Sequence, residues 1–411
     1  STGAEVYFVE NHDLPIIDIS TNFAAGTARE EKAKAGLAGI TRYLMTLGAA
    51  GLSDEDISKR MADVGAQMGG ELDADRAGFK LRTLSSARER EQALDIYSKI
   101  LQKPDFPAEV LEREKARIVA GLKEAATQPE SISDKAFMAA LYGSHPYALE
   151  ESAEPETVAA IKREDLQKFY STYYGAKNAV IALIGDMSRE DAARTAERLA
   201  SGLPDVPRAG ALPAVSYPAQ AYEQHIPHPA SQSHILLGYP GMKRGDADYF
   251  PLYVGNYILG GGGFVSRLTE EVREKRGLVY SVYSYFIPMA ELGPFQIGLQ
   301  TKTEQAEDAL KLVHETLDIF ISKGVTEAEL TAAKQNIIGG FPLRLDSNSE
   351  ILDYLAVIGF YRLPLTYLDD FNKQVGQVTA AQIKDAFNRR IDTKKLVTVI
   401  VGGDKVSGDK Q

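Results

Sequence analysis

Cysteine is absent from all 411 residues. That excludes disulfides, thiolate-bound zinc and a thiol nucleophile together, and it leaves the redox compartment open. Paired histidines are missing too. The six are His12, His145, His225, His228, His234 and His314, and no two stand four apart as metal ligands on one helix face do. His225 and His228 are split by Pro227 in an extended segment, where residues three apart face opposite ways. Positive charge is in deficit, with 46 Lys and Arg against 57 Asp and Glu and a net charge of −11. A chain without a basic excess is poorly suited to neutralising phosphates, which argues against nucleic-acid binding. Long apolar runs are lacking as well. Ala179–Gly185 and Leu396–Gly402 fall far short of the roughly 20 residues a membrane helix needs, and they read as buried strands.

What is present suits a globular protein of more than one core, with 44% hydrophobic and 25% charged residues. The chain is also written twice. Asn178-Ala-Val-Ile-Ala-Leu-Ile-Gly-Asp186 reads as a buried strand ending in a Gly-Asp turn, and Lys395-Leu-Val-Thr-Val-Ile-Val-Gly-Gly-Asp404 repeats it. A strand from Phe79 leads into a helix over Arg88–Leu101, as a strand from Phe295 leads into one over Glu304–Ile321. The helix Ala108–Leu122 is echoed by Glu327–Phe341. Offsets of about half the chain mean duplicated domains, not a solenoid of short units.

Between the halves lies a proline- and alanine-rich stretch without a hydrophobic period, which reads as a linker. The expected division is 1–205, a linker at 206–218, and 219–411. Neighbouring strands such as Glu5–Val9 and Ile16–Phe23 predict α+β domains, each a mostly antiparallel sheet packed with helices. Asp165–Gly175 is expected to be a helix with Gly175 as its left-handed cap.

These residues carry a resemblance. Ala35-Gly-Leu-Ala, Glu112-Arg-Glu-Lys, Phe169-Tyr-Ser-Thr-Tyr-Tyr-Gly-Ala-Lys-Asn-Ala-Val, Ile258-Leu-Gly-Gly-Gly-Gly-Phe-Val-Ser-Arg-Leu268 and Val272-Arg-Glu-Lys-Arg-Gly-Leu-Val-Tyr-Ser-Val282 together resemble the pitrilysin/insulinase zinc peptidases, or inverzincins. The likeness is greatest to the two-chain type represented by mitochondrial processing peptidase. It implies two similar α+β domains per chain, with four domains enclosing a chamber. Active members carry His-x-x-Glu-His after the Gly-Leu-Ala, so that two histidines hold zinc and the glutamate acts as general base. Here the matching stretch is Gly39-Ile-Thr-Arg42-Tyr43. Arginine cannot accept a proton and repels a cation. The family's further ligand, a glutamate on a downstream helix, matches Ile118–Leu122, which holds no carboxylate. The resemblance therefore implies no metal and no cofactor in this chain, with zinc in a partner subunit.

The second half keeps what the resemblance identifies as a substrate-gripping pair, Arg273 and Tyr280. Leu268–Arg276 is expected to be a helix, Gly277 its cap and Tyr280 the entry to a strand. In the family such an arginine holds substrate backbone, and the tyrosine hydroxyl donates to the scissile carbonyl oxygen. Without the resemblance, Arg273 reads as a solvated helix arginine and Tyr280 as packing on an aromatic strand. Gly260–Gly263 lacks the spacing of a phosphate loop and reads as a close approach or hinge. Gly69, Gly70 and Glu71 are candidate substrate-binding residues beside an edge strand that takes an extended peptide. No Gly-x-Ser-x-Gly elbow supports a serine triad.

The expected function is the zinc-free subunit of a heterodimeric metallopeptidase, inactive alone, acting on peptides with a homologous zinc-bearing partner. The alternatives are a non-catalytic scaffold of the same fold and a homodimer that binds peptides without cleaving them. The absence of cysteine and the abrupt opening at Ser1 fit a bacterial periplasm, with the cytoplasm as the alternative.

Overall fold

The computed structural model describes residues 2–403. Asp404, which ends the second Gly-Asp turn, lies outside the described residues. The strands in chain order are β1 (Glu5–Glu10), β2 (Ile16–Phe23), β3 (Gly48–Ala49), β4 (Leu52–Ser53), β5 (Gln67–Gly69), β6 (Ala77–Leu84) and β7 (Ala179–Gly185). They continue with β8 (Tyr222–Ile226), β9 (Gln232–Met242), β10 (Val279–Phe286), β11 (Gly293–Lys302) and β12 (Val397–Val401). Two five-stranded sheets result, ordered β1-β7-β2-β6-β5 and β10-β11-β9-β12-β8, beside a small β3–β4 ribbon. Read from opposite ends the two orders are the same. Each sheet has a single parallel pair, β1 with β7 and β8 with β12, and is otherwise antiparallel.

The two compact units are not colinear with the chain. One comprises Ser1–Lys123, Ser152–Ala211 and Leu343–Leu365; the other comprises Glu124–Glu151, Leu212–Pro342 and Thr366–Gln411. The proline-rich stretch crosses from one unit to the other after Ala211. Each unit takes one helix from the other half of the sequence. In the first, the helix Asn348–Phe360 packs on β7, β2 and β1. In the second, the helix Pro129–Tyr142 packs on β12 and β9.

Burial explains why these helices seat. β7 is buried along its whole length, as is β12, so both faces of each strand require a cover. Small residues make room. A Cβ on Gly359 would stand 2.6 Å from the Tyr7 ring and 2.7 Å from Val180, and one on Gly238 would stand 2.7 Å from Phe137. On the opposite face of the first sheet, Leu37–Met45, Ala87–Gln102 and Arg189–Ser201 complete a core centred on Ile19, Phe79, Leu94, Tyr97 and Leu183. In the second unit the corresponding layer is built from Ala306–Lys323 and Ala380–Arg390.

One expectation fails. The helix runs Arg163–Tyr173, but Gly175 is not its left-handed cap, having φ −86° and ψ 156°. Its glycine is required by proximity instead: a Cβ there would lie 2.2 Å from Val206 and 2.9 Å from the Pro204 carbonyl oxygen.

Candidate functional site

Two regions hold the candidate residues, one in each unit. The first is the helix Leu37–Met45. It starts at Gly36, whose φ of +99° places it in the left-handed region. Its free backbone donors are met by Glu30, which accepts from Gly36 N at 2.9 Å and Ala38 N at 2.6 Å. Glu30 is buried, and desolvation raises its pKa to about 7 against the opposing pull of these two hydrogen bonds.

Gly39, Arg42 and Tyr43 follow on this helix. A Cβ on Gly39 would be 3.3 Å from Leu72. Tyr43 packs against the core and its hydroxyl accepts from Arg117 Nη2 at 3.0 Å, with the Arg117 guanidinium 5.4 Å from the Tyr43 ring centre. Arg117 Nε donates to Glu114 at 2.8 Å, and Arg113 Nε donates to the other Glu114 oxygen at 2.9 Å. Glu114, only 5% exposed, is thus shared by two arginines of the helix Ala108–Ala125. Further along that helix Ile118, Val119 and Leu122 pack against the core.

The residues present do not fit a zinc ion. One position of the motif carries no side chain, one carries a cation, and the third is a tyrosine held by another cation. Among the described residues, no group of three or more His, Asp or Glu side chains is disposed to hold a metal. Three of the histidines are engaged elsewhere: His12 with Glu10 and Asp186, His145 with the Pro213 carbonyl and the Tyr147 amide, and His228 with the Thr127 carbonyl and the Ala230 amide.

Beside this helix lies β5, an edge strand paired only with β6. Gly69 is exposed, and a Cβ there would meet nothing within 4 Å. Gly70 is exposed too, but a Cβ there would be 2.3 Å from the Gly78 carbonyl oxygen and 2.6 Å from Arg42 Nη1. Glu71 is engaged within the chain, at 3.3 Å from the buried Arg76, which also donates to Asp73 at 3.0 Å. The Glu71 charge is therefore taken up within the chain, and Gly69 and Gly70 present main chain without side chains.

The second region surrounds Gly260–Gly263. The helical turns here are wide. Gly262 N donates to Tyr257 O at 2.8 Å and Lys275 N to Glu270 O at 2.9 Å, both five residues back. The segments Tyr257–Gly261 and Thr269–Glu274 are accordingly π-helical, a geometry frequent at functional sites, in place of part of the expected regular helix. Gly260 allows close approach to β10, since its Cβ would stand 2.4 Å from Ser284 Oγ. Asn256 ties the same point, donating to Ser284 O at 3.0 Å and accepting from Ser284 Oγ at 2.8 Å.

Arg273 sits in the second π-helical segment, its guanidinium 4.9 Å from the ring centre of Phe264. Its nearest carboxylate is Glu274 at 3.8 Å, whereas neighbouring Lys275 is clasped by Glu270 and Glu271 at 2.9 and 2.7 Å. Gly277, with φ +62°, closes the helix as expected, and its amide donates to Arg273 O at 2.8 Å. Tyr280 then enters β10 at a bulge, where pairing to β11 skips between Val279 and Ser281. Val279, Val282 and Ser284 are buried, so Tyr280 is the extra residue turned outward, 75% exposed. Phe264 and Val265 at the loop tip are 72% and 73% exposed. No hydrogen bond joins Arg273 to Tyr280 among the described residues. The family resemblance singled out both residues; the bulge and the π-turns have no composition signal of their own.

Comparisons with known proteins agree with this anatomy. A model of the insulinase family, peptidase family M16, matches residues 7–152, and one of the peptidase M16 inactive domain matches residues 160–337. A solved structure described as a peptidase M16 inactive domain from Pseudomonas fluorescens is 38% identical, with a TM-score of 0.95 over 99% of this chain and 98% of that one. The Helicobacter pylori protein named non-peptidase homolog YmxG is 27% identical over 97% of this chain and 92% of its own. An uncharacterized zinc protease of Mycobacterium tuberculosis is 26% identical over 92% of this chain and 86% of its own.

Proposed function

Because the chain belongs to the insulinase family, peptidase family M16, we propose that it is the zinc-free subunit of a two-chain peptidase, lending Arg273 and Tyr280 to a homologous partner that bears the metal. The observation that carries the reading is the contrast in Tyr280. It is 75% exposed on a bulge, with no hydrogen-bond partner among the described residues, while Tyr43 at the metal-motif position is tied down by Arg117. A hydroxyl kept free and rigidly based is what stabilisation of a developing oxyanion requires.

In this reading an extended peptide pairs with the edge of β5, whose Gly69–Gly70 turn offers main chain without bulk. The Arg273 guanidinium, held over Phe264, donates to substrate carbonyls, and the Tyr280 hydroxyl donates to the oxygen of the attacked carbonyl. The bacterial periplasm is the proposed compartment, tested by fractionation. Among the described residues, no helix is long and apolar enough to cross a membrane.

The test is peptide cleavage, with zinc analysis, by this chain, by a relative with an intact zinc motif, and by their mixture. Activity confined to the mixture and lost in Arg273→Ala or Tyr280→Phe is the expected result. Zinc or full activity in this chain alone refutes it. A mixture that binds peptide without cutting moves the function to a scaffold.

A further inference from the structure

Arg42 occupies the middle of the lost metal motif, and it is left over in the charge accounting of its unit. Nearby guanidiniums each have a carboxylate: Arg76 has Glu71 and Asp73, and both Arg113 and Arg117 have Glu114. Arg42 makes no ion pair and no hydrogen bond among the described residues. Its Nε is enclosed and lacks an acceptor, and the same holds for the hydroxyl of fully buried Tyr174. A buried donor left unmade is costly, so such groups call for an explanation. The side chain lies over Gly70. Gly70 admits it, since any Cβ there would stand 2.6 Å from Arg42 Nη1. The guanidinium thus ends beside Gly70, the residue that follows β5, with its Nη groups the ones not enclosed.

We infer that Arg42 is a carboxylate-binding subsite at the end of the β5 edge, taking an acidic group of an extended peptide. This rests on the reading that a peptide docks on β5. A strand added to β5 passes Gly70, and a carboxylate at that point meets a preformed planar fork of N–H donors at a cost already met in folding. The residue that stands in the metal motif is therefore a cation, and a cation selects an anion. Two sources fit this chemistry, the α-carboxylate of a peptide C-terminus and the side chain of Asp or Glu.

The test is binding of fluorescein-labelled extended peptides to the full chain by anisotropy. One pair differs only in a free or amidated C-terminus, the other only in an internal Glu or Gln. Wild type is expected to favour one acid over its neutral analogue by roughly ten- to a hundredfold, the range of a charge-assisted hydrogen bond. The pair that shows the preference names the source. Arg42→Gln is expected to abolish that ratio and Arg42→Lys to retain part of it, with thermal unfolding confirming that each variant is folded. Equal affinity for acid and neutral peptides, or a ratio that persists in Arg42→Gln, overturns the subsite while leaving peptide docking intact. Failure of every peptide to bind overturns both.

Discussion

The helix Leu37–Met45 and the segment Tyr257–Glu274 hold corresponding places in two copies of one fold, and they have been treated in opposite ways. In the first, polar groups are turned inward: Tyr43 to Arg117, Glu114 to two arginines, Glu30 to the helix N-terminus. In the second, large side chains are turned outward instead: Phe264 and Val265 within it and Tyr280 on the strand that follows are each more than 70% exposed. Exposing large side chains on a rigid base gains nothing for folding, so the second region is shaped by what it meets. The first has become scaffold, with Arg42 the member that its described neighbours do not pair.

Breaking the outward region should have the largest effect, and on activity alone. In the mixture with a zinc-bearing relative, Tyr280→Phe is expected to lower kcat by about a hundred- to a thousandfold, as for loss of one oxyanion donor. Its melting temperature should hold within a degree or so, because a 75% exposed hydroxyl supports no packing. A loss of kcat matched by a loss of stability would instead make Tyr280 a structural residue.

Breaking the inward region should act on stability. Burial raises the Glu30 pKa from the ordinary 4.5 to about 7. The folded state then holds a proton that the unfolded chain has released, so stability is greatest below pH 4.5 as far as this group is concerned and is lost as pH rises through 7. The full swing is worth about 3 kcal/mol. Glu30→Gln should flatten the dependence of unfolding free energy on pH between those values. An unchanged slope would show that the carboxyl is not protonated there.

How much of this was legible in the sequence depends on the kind of signal. Local periodicity carried the strands and helices, because Ile16–Phe23 and Glu5–Glu10 alternate or run apolar and Ala108–Ala125 keeps a helical stripe. The duplication was likewise written in residue order, whereas Arg273 and Tyr280 were singled out by the family resemblance. The exchange of Pro129–Tyr142 and Asn348–Phe360 was not. An apolar stripe says that a helix face is buried, without saying against which sheet. Gly175 shows the same limit: its glycine is required by Val206 and Pro204, about thirty residues on, and not by the helix end it follows. The orphaned charge of Arg42 is visible only when its neighbours' partners are known.

Between the extremes lies Glu114, buried between two arginines whose own side chains are 56% and 66% exposed. Solvent screening weakens each pair, so Glu114→Gln should cost about 1–2 kcal/mol by chemical denaturation, well short of a fully buried triad. A cost above roughly 4 kcal/mol would mean that the network holds the helix Ala108–Ala125 in place, not merely decorates it.

The smallest effect is expected at Tyr43. Its ring packs on the core and stays in Tyr43→Phe; only the hydroxyl that accepts from Arg117 at 3.0 Å is lost. Arg117 keeps Glu114 and faces water, so no buried donor is orphaned, and the cost should be no more than about 0.5 kcal/mol. Peptide cleavage by the mixture should be unchanged, in contrast to Tyr280→Phe. Two tyrosines, one in each unit, would then differ by about two to three orders of magnitude in kcat for the same lost atom. Equal losses at both would mean that the inward region still touches substrate, and that the division between scaffold and working surface is drawn in the wrong place.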